Sequence, residues 1–76
     1  MKTQGFIKEI TVDPTVRFGR PVIRGTRVPV DLIVGRMAEG MSVEEVMKEY
    51  DLNRLQIFAA LKYAATIVAE EDIVFT

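Results

Sequence analysis

Gly19-Arg20-Pro21-Val22-Ile23-Arg24-Gly25-Thr26-Arg27-Val28-Pro29-Val30 is the stretch on which the fold of this chain turns. Two glycines, two prolines and three arginines stand between β-branched apolar residues, and Arg17 adds a fourth arginine just upstream. Glycine reaches φ values that other residues avoid, while proline fixes φ and removes a backbone donor. Neither a continuous helix nor a central strand tolerates that mixture. The spacing predicts a short extended piece at Val22-Ile23 between two sharp bends, then a helix entered at Pro29 or Val30. Strand is expected before this stretch and helix after it.

Downstream, Val30, Ile33, Val34 and Met37 follow the i, i+3, i+4, i+7 spacing of one buried helical face. Asp31 falls in the first turn, where a carboxylate suits the helix dipole. Gly35 costs a helix interior ~1 kcal/mol relative to alanine, so a close helix contact is expected there. Gly40 is expected to end the helix. Ser42 and Glu45 form a capping box for a second helix, with Met41 and Val46 as its hydrophobic staple and Val43, Val46, Met47 and Tyr50 on the buried face. Asp51-Leu52-Asn53 breaks the chain near Tyr50. Asn53 then caps a third helix, with Gln56 three residues on and Leu52–Ile57 as a second staple. This helix is expected to run to about Glu71, with Ile57, Ala60, Leu61, Ala64 and Val68 facing inward. Leu55, Ala59, Lys62 and Thr66 point roughly the other way, and Phe58 and Ala65 widen the apolar side. A helix apolar on so much of its surface is expected to pack partly on another subunit.

Upstream, Phe6 to Val12 has strand-forming content and Asp13-Pro14-Thr15 is a turn signal. Val16-Arg17-Phe18 reads as a second short strand ending at Gly19. So small a sheet leaves an edge open to pairing with another chain. The expected assembly is a homodimer through the N-terminal β element and the third helix. The fold class is therefore α+β, mostly α: one domain over 1–76, with a β arm at 1–28, a three-helix bundle at 29–72 and a tail at 73–76.

Composition narrows the chemistry. In 76 residues there is no cysteine and no histidine, which removes disulfides, thiolate metal sites and the commonest general base and zinc ligand. No metal or cofactor is expected. No apolar run approaches the ~20 residues that span a bilayer. The N-terminus lacks the positive-then-apolar pattern of a signal peptide, so a cytoplasmic location without membrane contact is expected. Net charge is −1, but residues 1–27 hold six basic side chains against two acidic, and residues 28–76 hold four against nine. A basic arm joined to an acidic helical body suggests two partner surfaces, or an arm docked on a neighbouring body.

Three chemical readings compete. A short capped helix, a three-residue turn and a longer helix have the proportions of a helix-turn-helix. In that geometry Asn53, Arg54 and Gln56, with Lys62 further along, would face the major groove, where arginine reads guanine and glutamine reads adenine. Against it, the same residues in a plain bundle merely face water, and Glu49 and Asp51 are poor neighbours for phosphate. Arg17, Arg20, Arg24 and Arg27 could grip phosphates as a basic arm, or pair with the acidic body. Catalysis has little support: there is no phosphate loop, no nucleophile elbow and no paired carboxylates at a catalytic spacing. The chain is expected not to be an enzyme.

These residues resemble a known family. The block Gly19 to Val30, then Gly40-Met41-Ser42-Val43-Glu44-Glu45-Val46, Tyr50 and Ile57-Phe58-Ala59-Ala60-Leu61-Lys62-Tyr63-Ala64, is similar to the domain of unknown function 433, with the spacing of all three blocks kept. The resemblance implies a homeodomain-like helix-turn-helix with an N-terminal β element, and signature positions at Gly19, Pro21, Gly25, Thr26 and Arg27. It also implies a VapB-type antitoxin role beside a toxin of the PIN-like ribonuclease class. The leading expectation is thus an antitoxin that also binds DNA as a transcriptional autoregulator. The alternative is a protein–protein module that neutralises such a toxin without DNA. Ile73, Val74 and Phe75 are the expected partner contact, since they form an apolar run with no obvious shelter in the domain.

Overall fold

The computed structural model describes residues 8–13, 15 and 19–70. Two short strands, β1 (Ile10–Val12) and β2 (Pro21–Ile23), precede three helices, α1 (Val30–Ala38), α2 (Val43–Tyr50) and α3 (Arg54–Glu70). The strands pair antiparallel, with Ile10 opposite Ile23, Thr11 opposite Val22 and Val12 opposite Pro21. The Arg24 N–H donates to the Glu9 carbonyl at 2.6 Å, so the hydrogen-bonded pairs alternate onto Thr11 and Val22. Pro21 then falls where no donor toward β1 is needed, a place a strand can give to proline. On the far side of β2 the Ile23 N–H donates to the Val28 carbonyl at 2.9 Å, and Val22 bridges to Pro29. The extended piece between two bends is therefore present, and Pro29 stands at the entrance to α1.

The strand expected from Phe6 is shorter than its sequence suggests. Lys8 and Glu9 form a turn and the strand itself begins at Ile10, opposite Ile23 where β2 ends. Phe6, Ile7 and the strand expected at Val16-Arg17-Phe18 lie outside the described residues. Of the turn signal that follows β1, Asp13 accepts from both the backbone N–H and the hydroxyl of Thr15, at 2.9 and 2.8 Å.

The helix boundaries follow their local signals. α1 ends in a Schellman arrangement, with Gly40 N–H on the Met37 carbonyl and Met41 N–H on the Arg36 carbonyl, at 3.0 and 3.1 Å. That motif needs a left-handed residue, and Gly40 supplies it at φ 112°. The capping box of α2 is complete: Glu45 N–H donates to Ser42 Oγ at 3.1 Å, and Ser42 N–H to Glu45 Oε1 at 2.8 Å. Both staples are in place, with Val46, Leu52 and Ile57 buried and Met41 packed on the core.

Ile10 and Ile23 from the sheet, Val30 and Ile33 from α1, Val46 from α2, and Ile57, Ala60 and Tyr63 from α3 form one core. Burying such side chains contributes ~1.5–3 kcal/mol each before entropy opposes it. Two sequence expectations need correction. On α3 the inward arc runs through Ile57, Ala59, Ala60 and Tyr63, while Val68 is 62% exposed. α3 packs against α1, α2 and β1 together, which turns its buried arc toward Ala59 and Tyr63. The arc continues through the partly buried Ile67 and leaves its neighbour Val68 outside. Gly35 makes no close helix contact among the described residues: a Cβ built there would meet nothing within 4 Å.

Candidate interaction surface

The polar side chains at the start of α3 are already engaged. Gln56 N–H donates to Asn53 Oδ1 at 2.8 Å and Asn53 N–H donates to Gln56 Oε1 at 2.8 Å. This reciprocal cap satisfies backbone donors that a helix start otherwise leaves open. Arg54 reaches back to α2 and donates to Glu44 Oε2 at 2.9 Å. That hydrogen bond holds the Glu44 carboxyl below the usual carboxylate range. Lys62 is exposed two turns further on. The four side chains proposed for base reading do share one end or one outer side of α3, but three of them already have partners inside the domain.

The same stretch of helix carries large apolar side chains in water. Leu55 is 61% exposed, Phe58 48% and Val68 62%, and Ala65 and Ala69 are exposed beside them. The inner face of α3 closes the core, and the outer face is nearly as apolar.

The arginines of the Gly19–Val30 stretch divide. Arg20 pairs with Asp31 in the first turn of α1. Arg24 turns its guanidinium onto β1, with Nε donating to the Lys8 carbonyl and NH2 to the Ile10 carbonyl at 3.3 Å. By the alternation of the ladder, those carbonyls point away from β2. Arg24 therefore covers acceptors on the sheet edge that another strand would use. Thr26 closes the bend: its hydroxyl donates to the Ile23 carbonyl at 2.7 Å and accepts from Val28 N–H at 3.0 Å. Gly19 and Gly25 occupy left-handed positions at φ 79° and 80°, so Gly19, Pro21, Gly25 and Thr26 all shape the junction. Arg27 is exposed and has no hydrogen bond or ion pair among the described residues. Arg17 and the tail residues Ile73, Val74 and Phe75 lie outside the described residues.

Sequence reasoning missed the Arg24 clamp and the bond from Arg36 Nε to the Tyr50 hydroxyl at 2.8 Å, which with Glu39 raises the already high pKa of Arg36. Both join residues at least 14 apart in sequence, and no local pattern announces them. Among the described residues no cluster of carboxylates could hold a metal ion, no buried polar side-chain atom lacks a partner, and no helix is long and apolar enough to cross a membrane.

This is a small α+β protein, mostly helical. Residues 10–64 match the family described as "Protein of unknown function (DUF433)", and the chain belongs to that family. It is similar to the crystal structure of a DUF433 member protein from Anabaena variabilis ATCC 29413, with a TM-score of 0.77 and 28% sequence identity over 88% of this chain and 67% of that one. No functionally curated protein matches the chain.

Proposed function

We propose that this protein is a non-enzymatic protein–protein interaction module of the antitoxin kind, which engages a toxin of the PIN-like ribonuclease class without binding DNA. One observation carries the reading. Asn53 and Gln56 are closed on each other, Arg54 is held by Glu44, and the exposed residues between and after them are Leu55 and Phe58. A helix that reads bases offers free donors and acceptors to the groove and positive charge to phosphate. This one spends the side-chain oxygens of Asn53 and Gln56 and a nitrogen of Arg54 within the domain and sets exposed Leu55 and Phe58 among them, with Glu44 and Asp51 close by in α2 and the break. Exposed apolar groups of this size favour contact with protein. The tail residues Ile73, Val74 and Phe75 are the toxin contact in this reading.

The test joins two measurements. The chain is co-expressed with the product of its adjacent gene, and the purified chain is titrated with its upstream DNA at rising salt. The expected result is a stable protein complex that is lost on deleting residues 73–76, with no retention of DNA at low salt. Absence of any complex, or tight upstream binding that falls steeply with salt, overturns the proposal.

A second reading, a homeodomain-like DNA-binding autoregulator, draws support from Arg27, which is exposed and has no partner among the described residues. It predicts that Arg27→Ala and Arg54→Ala each flatten the salt dependence of upstream DNA binding.

A further inference from the structure

We infer that Arg24 is a lock on the free edge of β1: while its guanidinium holds the carbonyls there, the sheet cannot grow, and without it two copies of the chain pair through β1. The inference concerns the β element alone and is independent of any toxin.

The sheet has one open side. Beyond β2 the Ile23 N–H donates to the Val28 carbonyl, and Val22 bridges to Pro29 at the entrance to α1. The other side ends at β1, and the described residues place no third strand beside it. The ladder decides what that edge offers. Thr11 and Val22 are a hydrogen-bonded pair, so the N–H and C=O groups of Ile10 and Val12 point away from β2. Unpaired groups of this kind are a template for another strand. Val12 adds an apolar side chain that is 40% exposed.

Those groups fix how a second copy would fit. In an antiparallel pair of β1 strands related by a two-fold axis, a centre at Thr11 sets Ile10 of each copy opposite Val12 of the other. Both outward residues then exchange backbone hydrogen bonds, and Thr11 meets its own equivalent in a non-hydrogen-bonded pair. The exposed Val12 comes to lie against Ile10 on the same face. Threonine pairs and apolar pairs across strands both favour a sheet. One bond of each Ile10–Val12 pair needs the Ile10 carbonyl as its acceptor.

Arg24 holds that acceptor. Its NH2 donates to the Ile10 carbonyl at 3.3 Å and its Nε to the Lys8 carbonyl. A nitrogen at that distance stands about where the Val12 N–H of a second strand would stand. Arg20, Arg36 and Arg54 each pair with a carboxylate. Glu9 stands opposite Arg24 in the ladder, yet the Arg24 guanidinium is spent on the edge carbonyls. A charged side chain laid on an edge strand is a known protection against pairing. In the unaltered chain the route to a homodimer through the β element is therefore shut.

The chain has no cysteine, which permits a clean test. Facing residues in a non-hydrogen-bonded antiparallel pair have Cα atoms about 4.5 Å apart, within the ~4.4–6.8 Å that a disulfide spans. Thr11→Cys alone should stay monomeric under mild oxidation. Combined with Arg24→Ala, or with Arg24→Met, which keeps an apolar stem and removes the donors, it should give a disulfide-linked dimer. Val12→Cys in the same backgrounds is the control and should not cross-link, because Val12 faces Ile10 of the second copy. Without any cysteine, Arg24→Ala should shift from monomer to dimer with concentration in sedimentation equilibrium. The Ile10 and Val12 amides should then gain protection from hydrogen exchange. Far-UV circular dichroism should show the helices intact in every variant. Equal cross-linking of Thr11→Cys with Arg24 in place overturns the inference. So do folded Arg24→Ala and Arg24→Met chains that both stay monomeric. Loss of the helical signal in both would make Arg24 a tie that holds the fold and no lock, which overturns it as well.

Discussion

The junction between β2 and α1 and the start of α3 are both turns that must satisfy backbone groups, and they do so in opposite ways. At the start of α3 the partners are neighbours: Asn53 and Gln56 cap each other three residues apart, and Leu52 and Ile57 bury themselves on either side. At the junction the partners are distant: Arg20 reaches Asp31, and Arg24 reaches back to Lys8 and Ile10. A local cap orders few additional residues, whereas a long-range clamp also ties down the strand it touches. Arginine thus does different work in the two places. Arg24 acts as a clip on a sheet edge, and Arg54 as an exposed link between helices.

Removing core volume beside the α3 cap should give the largest effect. Ile57 is fully buried, and Ile57→Ala should cost roughly 2–5 kcal/mol in urea unfolding, depending on how far the site collapses. A smaller loss would mean that the junction, and not the bundle, carries most of the stability. The junction is tested next by a pair of glycine substitutions. Gly25 sits at φ 80° with open space around it, so Gly25→Ala should lose about 1–2 kcal/mol through backbone strain alone. Gly35 is helical and equally unobstructed, so Gly35→Ala should gain ~1 kcal/mol. Equal effects at the two sites would erase the distinction between a strained junction and a relaxed helix.

The smallest effect concerns Arg54 and Glu44. The Arg54 hydrogen bond lowers the Glu44 pKa in the folded chain. A lowered carboxylate pKa adds stability above the ordinary carboxylate range, and that stability is lost as pH falls through the folded pKa. Both groups are well exposed, so the change in unfolding should be slight. The sharper readout is the NMR titration of Glu44, whose midpoint should rise toward its ordinary value in Arg54→Ala. An unchanged midpoint would mean that the pair does not hold in solution, which would return Arg54 to the candidates for phosphate.

Much of this was legible in advance, and the reason differs from residue to residue. Ser42 with Glu45, Asn53 with Gln56, and Gly40 announce helix ends because their partners lie within four residues. The bends at Gly19 and Gly25 are legible because glycine reaches left-handed φ values that other residues avoid, whatever surrounds it. The buried arc of α3 was less legible. Its apolar residues surround so much of the helix that periodicity set Val68 inward and Ala59 outward, and the packing of α1, α2 and β1 reversed that choice. The candidate surface shows the same limit. Arg54, Gln56 and Asn53 look like a reading head in sequence, and only their partners show them engaged.

The amino-acid sequence by itself determined where each helix starts and stops, where the backbone must bend, and that cysteine and histidine chemistry is absent. Those properties depend on residue type and short spacings. Tertiary structure alone decided which side of α3 is buried, that Arg24 covers the edge of β1, and that Leu55 and Phe58 face water. Those outcomes depend on contacts between residues far apart in the chain, which form only when the elements pack together.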